Sequence, residues 1–204
     1  MSDYNSNFWD ERFSVEGYVY GTEPNKFFKE QLMKINPVGR LLLPAEGEGR
    51  NAVFAAKLGW NVDAFDQSKV ARQKAMKLSK VNDVKIDYFI TQLEDFIPHK
   101  NYYDCAAIIF VHVPTESRSI FYKKIIESLK PKGKIIIELF SKNQLGKNSG
   151  GPQDTNMLAS VEEIRTDFRE IKTELLAEEN IYLEEGAKHS GNASVIRFIG
   201  EKIL

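Results

Sequence analysis

The sequence predicts an α/β protein: a doubly wound, mostly parallel sheet that ends in an antiparallel hairpin. Three observations predict it. Between Val38 and Phe140, short runs apolar on both faces alternate with helical patterns, as strands covered by helices on both sides require. Right-handed crossovers leave such a chain few topologies, with the doubly wound sheet first among them. After Phe140 the alternation stops, and two strand-like runs, 171–184 and 193–203, follow one another closely.

Residues 1–36 read as a helical preface. Asn5, Ser6 and Asn7 precede Phe8, Trp9 and Phe13 of a first helix. Pro24 opens a second, in which Phe27, Phe28, Leu32 and Ile35 recur at helical spacing. Gly17, Tyr18, Val19, Tyr20 and Gly21 form an aromatic loop between them. A first strand over 38–43 stops at Pro44, and a helix over 51–58 ends at Gly59. A strand over 60–65 is closed by Asp66, and a helix over 68–79 follows with Ser68 as its N-cap. The third strand covers 84–90 and the fourth 102–111. A helix over 115–129 is expected to turn Ile120, Phe121, Ile125 and Leu129 inward, before a fifth strand over 134–140. Residues 141–155 are a polar, Gly-rich loop, long enough to suggest a function. A helix near 160–168 leads to the closing hairpin, whose turn is 185–192.

The 204 residues suit one domain, with 1–36 expected to form a helical lid on the domain of 37–204. Lys and Arg number 28 against 29 Asp and Glu, which excludes a strongly basic nucleic-acid surface. An apolar share of 42% with 28% charged residues excludes a disordered chain. No apolar run approaches the roughly 18 residues of a membrane span, and residues 1–10 lack the pattern of a secretory signal. The one cysteine, Cys105, lies in an apolar strand, and no Cys/His cluster has zinc spacing, so no metal is expected. A reduced, cytoplasmic protein is the expectation.

The chemistry lies in the segment after the first strand, Pro44-Ala45-Glu46-Gly47-Glu48-Gly49-Arg50-Asn51-Ala52. Doubly wound sheets bind ligands beyond the carboxyl ends of their strands. Glycines there let the backbone approach a ligand closely, and Asp66 closes the second strand, where a carboxylate can hold ribose hydroxyls. Gly47 to Ala52 also fits the dinucleotide pattern G-x-G-x-x-G/A, so an NAD(P)-dependent oxidoreductase is the alternative. Charge argues against it. A carboxylate about 4–5 Å from a phosphate oxygen costs several kcal/mol at an effective dielectric near 20, and Glu46 and Glu48 flank this turn. Arg50 offsets part of that only if it turns inward. A ligand with an α-amino group and a sulfonium suits two carboxylates better, which points to S-adenosylmethionine.

At these residues the sequence resembles the class I S-adenosylmethionine-dependent methyltransferases, most of all the tellurite-resistance and thiopurine-type group. The resemblance runs from about Phe8 to Gly200. It is carried by Phe8-Trp9-Asp10-Glu11-Arg12-Phe13, Tyr20-Gly21-Thr22-Glu23-Pro24-Asn25, the glycine turn and Asp66-Gln67-Ser68. Leu129-Lys130-Pro131-Lys132-Gly133-Lys134, Gly150-Gly151-Pro152 and Glu185-Gly186 continue it. It implies a Rossmann-like, seven-stranded sheet with the last strand antiparallel. It further implies that the backbone of residues 45–49 faces the methionine portion of the donor and Asp66 the ribose. Gln67, Gln92 and Leu93 would meet adenine, and Phe110 and Val111 would offer carbonyls to the amino group. The expected donor set is thus Ala45, Glu46, Gly47, Glu48, Gly49, Asn51, Asp66, Gln67, Ser68, Gln92, Leu93, Phe110 and Val111. The family's turn begins with an acid and a glycine where this chain has Leu43 and Ala45, and Gln92 stands where an acid often sits. Glu46 or Glu48 replaces the missing acid.

Methyl transfer from a sulfonium is an in-line displacement that depends mainly on positioning. A thiol or soft anion requires little acid–base help, whereas a hydroxyl or amine requires a base in reach. A small-molecule acceptor is expected, a thiol or chalcogen oxyanion on the family's analogy, with no nucleic-acid or membrane partner. Three clusters are candidates to meet it, two of them in loops that leave the same sheet edge. His112 directly follows the fourth strand. His189 lies in the hairpin turn, where a solvated ring is the plain reading. Of the aromatic preface, Arg12 and Tyr20 are expected in a lid and Phe8 and Phe13 in the core. A module that binds S-adenosylmethionine without turnover is the other alternative.

Overall fold

The computed structural model describes residues 6–203, so Asn5 lies outside the described residues. Seven strands form one sheet in the order β3-β2-β1-β4-β5-β7-β6, and two compact units divide the chain.

The first unit runs to Phe96 and includes Glu185–Lys188. Its sheet is β1 (Arg40–Pro44), β2 (Asn61–Asp66) and β3 (Asp87–Ile90), parallel throughout. Leu41, Leu42 and Leu43 are buried on both faces, as a central strand demands. β3 has only Tyr88 buried, the pattern of an edge, and Ile86 packs inward just before it. α3 (Arg50–Lys57) carries the chain from β1 to β2, and α4 (Lys69–Val81) from β2 to β3. Ser68 caps α4, its hydroxyl accepting the Ala71 N–H at 3.0 Å. α1 (Ser6–Phe13) and α2 (Lys26–Leu32) make the preface. Asn25 caps α2, accepting the Phe28 N–H at 2.8 Å. The helix ends before Ile35, because Pro37 disfavours helical backbone at Asn36.

The second unit holds β4 (Tyr103–Ile109), α5 (Thr115–Ser128), β5 (Leu129–Phe140), α6 (Val161–Asp167), β6 (Ile171–Glu184) and β7 (Ser190–Lys202). β4 and β5 are parallel, while β7 runs antiparallel to β5 on one side and β6 on the other. The last strand is therefore the reversed one. The regular β4–β5 ladder begins at Cys105 and Lys134, because the intervening Lys130-Pro131-Lys132-Gly133 turn bulges out, with Lys132 at φ 67°. Cys105 is fully buried. One expectation fails: Ile120 is 61% exposed. The inward face of α5 is Arg118, Phe121, Tyr122 and Ile125, spaced by three and four residues, and Ile120 falls off that stripe. Arg118 is buried because it pairs with Asp167 at 3.0 Å. The long loop after β5 is structured, with single 3-10 turns at Lys142–Gln144 and Thr155–Met157. Gln144 anchors it by donating to Ser149 Oγ and the Gly150 carbonyl, both at 2.9 Å, and accepting the Ser194 N–H at 2.8 Å.

Candidate functional site

β1 ends at Pro44, and the chain turns through three left-handed residues, Ala45 (φ 47°), Gly47 (φ 64°) and Gly49 (φ 87°), into α3. Gly49 must be glycine for a second reason. A Cβ there would lie 2.7 Å from the Cβ and 2.9 Å from the Cα of Ala75, so the turn touches α4.

The two glutamates of this turn do different work. Gly49, the N-cap of α3, has no side chain to satisfy the helix's first N–H groups. Glu46 reaches back and does so: its Oε1 accepts the N–H of Asn51 and of Ala52, each at 2.8 Å. Burial pushes its pKa up to about 7, against these hydrogen bonds and the Arg50 charge. Glu48 accepts the Val19 N–H at 2.7 Å and pairs with Lys74 at 2.9 Å. Within the protein, therefore, Glu46 closes a helix end and Glu48 holds the preface.

Asp66 braces the same turn. Its Oδ2 accepts the Gly47 N–H at 3.0 Å and its Oδ1 the Ser68 N–H at 2.8 Å. Burial pushes its pKa up to about 6. Each carboxylate oxygen has a second lone pair, so hydroxyls can still bind. Tyr88 donates its hydroxyl to the Gly47 carbonyl at 2.7 Å. Gln67 and Leu93 are half-buried and Gln92 is exposed. Thr91 donates its N–H to the Asp66 carbonyl, which starts the 91–93 loop beside that aspartate. The Ser68 hydroxyl serves the α4 cap and donates to Asp10 Oδ1 at 2.5 Å.

The preface lies against this turn. The Phe13 ring comes within 3.3 Å of where a Gly47 Cβ would stand. Phe13, Val19 and Ala71 form a buried cluster, with Trp9 and Tyr20 packed on it. Phe8, expected in the core, is only half-buried, because it packs edge-on to Trp9 and under the Arg12 guanidinium. Arg12 also donates to the Tyr20 hydroxyl at 3.3 Å, which joins the two expected lid residues. Arg50 turns inward, pairing with Glu185 at 2.7 Å and donating to the Tyr20 carbonyl at 3.1 Å. Asn51 Oδ1 accepts the Asn25 N–H at 2.9 Å, and Asn25 Nδ2 donates to Glu185 at 2.9 Å. The Arg50–Glu185 pair was not legible in the sequence. Its one signal was the Glu185-Gly186 motif, and a Cβ at Gly186 would meet the Val19 carbonyl at 2.6 Å.

The second unit holds a separate cluster. Phe110, at φ 53°, stacks obliquely on Phe140 with centroids 4.6 Å apart. His112 lies parallel to Phe140 at 5.4 Å. His189 is buried, against the expectation of a solvated turn, because it packs edge-on to Phe110 at 4.6 Å and Phe140 at 5.3 Å. Val111 is buried. A Cβ on Gly151 would strike the Phe140 ring at 2.6 Å, which explains the glycine of that loop. Among the described residues no group of three or more His, Cys, Asp or Glu side chains is placed to hold a metal ion. No described helix is long and apolar enough to cross a membrane.

Residues 44–133 match the family described as a methyltransferase domain. No curated protein matches the chain. Solved structures of similar fold include one described for the conversion of a disulfide bond into a thioacetal group during echinomycin biosynthesis. It has 12% identity and a TM-score of 0.79, over 97% of this chain and 91% of that one. A SAM-dependent methyltransferase from Methanosarcina mazei has 13% identity and a TM-score of 0.72, over 89% and 99%. TehB from Haemophilus influenzae has 13% identity and a TM-score of 0.72, over 97% of this chain and 66% of that one. The match to a methyltransferase domain thus spans the glycine turn, β2 to β4 and α3 to α5, and the solved structures share the fold of the chain.

Proposed function

We propose that this enzyme methylates a small molecule in the cytoplasm and holds its donor against the glycine turn of the first unit. One observation carries the choice of donor over a dinucleotide. The N–H groups of Asn51 and Ala52 at the start of α3, which a pyrophosphate would require, already bond to the Glu46 carboxylate. A phosphate there would meet an anion in place of donors. A sulfonium nucleoside has no phosphate to place.

In this reading Asp66 accepts the ribose hydroxyls with its remaining lone pairs, and Gln67, Gln92 and Leu93 border the adenine. The backbone of residues 45–49 faces the methionine portion, with Glu46 supplying negative charge for its cations. Arg12 and Tyr20 form part of the cover that excludes water. The donor supplies an activated methyl group on a cationic sulfur. The protein has to align the acceptor with it, which is worth about 7–11 kcal/mol in favourable cases. The methyl acceptor is a thiol or a chalcogen compound. The disulfide and thioacetal chemistry described for the echinomycin structure supports a sulfur acceptor by analogy of fold alone.

Thermal unfolding tests the donor. S-adenosylhomocysteine at 100 times its Kd stabilises by about 2.7 kcal/mol, a Tm rise of roughly 5–10 °C for this size. NADH at the same concentration is expected to leave Tm unchanged. A rise with NADH and none with the nucleoside reverses the reading.

A further inference from the structure

The edge strand β3 buries one side chain. Asp87, Phe89 and Ile90 are exposed, whereas Tyr88 is buried. A buried phenol needs a partner for its hydroxyl, and this one finds it 41 residues away in the chain. The hydroxyl donates to the Gly47 carbonyl at 2.7 Å, in a buried bond. Tyr88 is itself held from two sides. It pairs with Ala64 of β2, and Arg72 of α4 donates its Nε–H to the Tyr88 carbonyl at 2.9 Å. Burial, then the Asp66 carboxylate, push the phenol pKa well above its usual value, so the hydroxyl keeps its proton.

Gly47 is thus fastened at both of its polar groups. Its N–H goes to Asp66 at 3.0 Å, and its carbonyl takes the Tyr88 hydroxyl. At a left-handed φ of 64°, glycine has wide backbone freedom, so these bonds fix the peptides on either side of it. A peptide unit is planar, so holding the Gly47 carbonyl also sets the direction of the Glu48 N–H at the other end of the same unit. Glu48 is otherwise held by its side chain, through the Val19 N–H and Lys74, which leaves that peptide plane to Tyr88.

Resting on the donor reading, in which residues 45–49 face the methionine portion, we propose that Tyr88 is a positioning residue for that portion of the donor. It acts through Gly47. The 47–48 peptide is oriented before the donor arrives, so binding does not have to order it. Without the hydroxyl, the Gly47 carbonyl is a buried acceptor that has lost its donor, and the peptide turns to find another. The ribose side escapes this effect. The Gly47 N–H belongs to the preceding peptide, and Asp66 keeps it together with the Ser68 N–H. Loss of Tyr88's bond is therefore felt by the amino-acid tail and not by the nucleoside.

The test is calorimetry on the full chain with two nucleosides that share adenine, ribose and a thioether. S-adenosylhomocysteine carries the amino-acid tail, and methylthioadenosine does not. Tyr88→Phe removes one oxygen and keeps the ring. It should weaken S-adenosylhomocysteine about tenfold and leave methylthioadenosine unchanged. Tyr88→4-aminophenylalanine puts an N–H donor in the same place and should recover part of the loss. A merely structural role would lower the unfolding midpoint without separating the two probes. Equal losses for both, or no loss with either, overturns the proposal. If Tyr88→Phe does not fold, the amino variant decides: its weaker donor should cost S-adenosylhomocysteine affinity and leave methylthioadenosine unchanged, and any other pattern overturns the proposal. Failure of the wild-type chain to bind either nucleoside would overturn the donor reading and this proposal with it, whereas wild-type binding with equal losses overturns the role of Tyr88 alone.

Discussion

Arg50 and Glu185, 135 residues apart in the chain, form an ion pair of 2.7 Å in which both side chains are nearly buried. Arg50 starts the helix after the glycine turn and Glu185 opens the turn between β6 and β7. The pair also supports the preface, since Arg50 holds the Tyr20 carbonyl and Glu185 holds Asn25. Removing one partner of such a pair strands the other charge. Glu185→Ala is expected to destabilise by about 3 kcal/mol, and to make the preface the first site of limited proteolysis. A double-mutant cycle with Arg50→Ala should return a coupling of about 1 kcal/mol or more. Additivity of the two would show that the pair does not hold the preface.

Glu46 makes stability depend on pH in an unusual direction for a carboxylate. Its pKa rises from an ordinary 4.5 to about 7 in the fold. Between those values the folded state binds more proton than the unfolded one, so this group's contribution falls as pH rises. Glu46→Gln keeps the oxygen that caps α3 and removes the titration. The stability of the variant relative to wild type should therefore climb between pH 5 and 7.5, on the order of 2 kcal/mol. Shifts common to both proteins, such as the lowered pKa of His112, cancel in the difference. Urea unfolding of the two at both pH values measures it, and a flat difference would refute the assignment.

Two substitutions in the turn should act in opposite directions. Gly49→Ala drives a Cβ into Ala75 and strains a φ of 87°. It should cost about 2 kcal/mol or more and abolish binding of S-adenosylhomocysteine. Ala45→Gly relieves a left-handed alanine at φ 47°, at the price of unfolded-chain entropy. Its effect should lie between zero and about 1 kcal/mol of stabilisation. Thermal unfolding and calorimetry with the nucleoside read both.

Gly151→Val should destabilise the second unit. The new side chain meets the Phe140 ring, on a backbone at φ 84°, so the cost should be about 2 kcal/mol or more. Urea unfolding measures it, and an unchanged midpoint would show that the loop and the ring give way freely.

The strands were readable where burial on both faces leaves one choice of residue. Leu41, Leu42 and Leu43, and Ala106, Ala107 and Ile108, are apolar because every side chain on a covered strand is inside. Ile120 misled for the complementary reason: a lone apolar residue on a helix is not evidence for its inner face. His189 could not be placed from its neighbours in sequence, since the turn around it is polar and mostly exposed while its own ring is buried against Phe110 and Phe140.

By itself, the chain's sequence determined the doubly wound sheet, the position of the glycine turn and the presence of carboxylates in it. These follow from periodicity and from the backbone freedom of glycine, both local properties. Only the tertiary structure decided what each carboxylate does: Glu46 closes a helix end, Asp66 braces Gly47, Glu48 holds Val19, and Glu185 answers Arg50. A charge finds its partner through space, and the partners here lie as near as five and as far as 135 residues away.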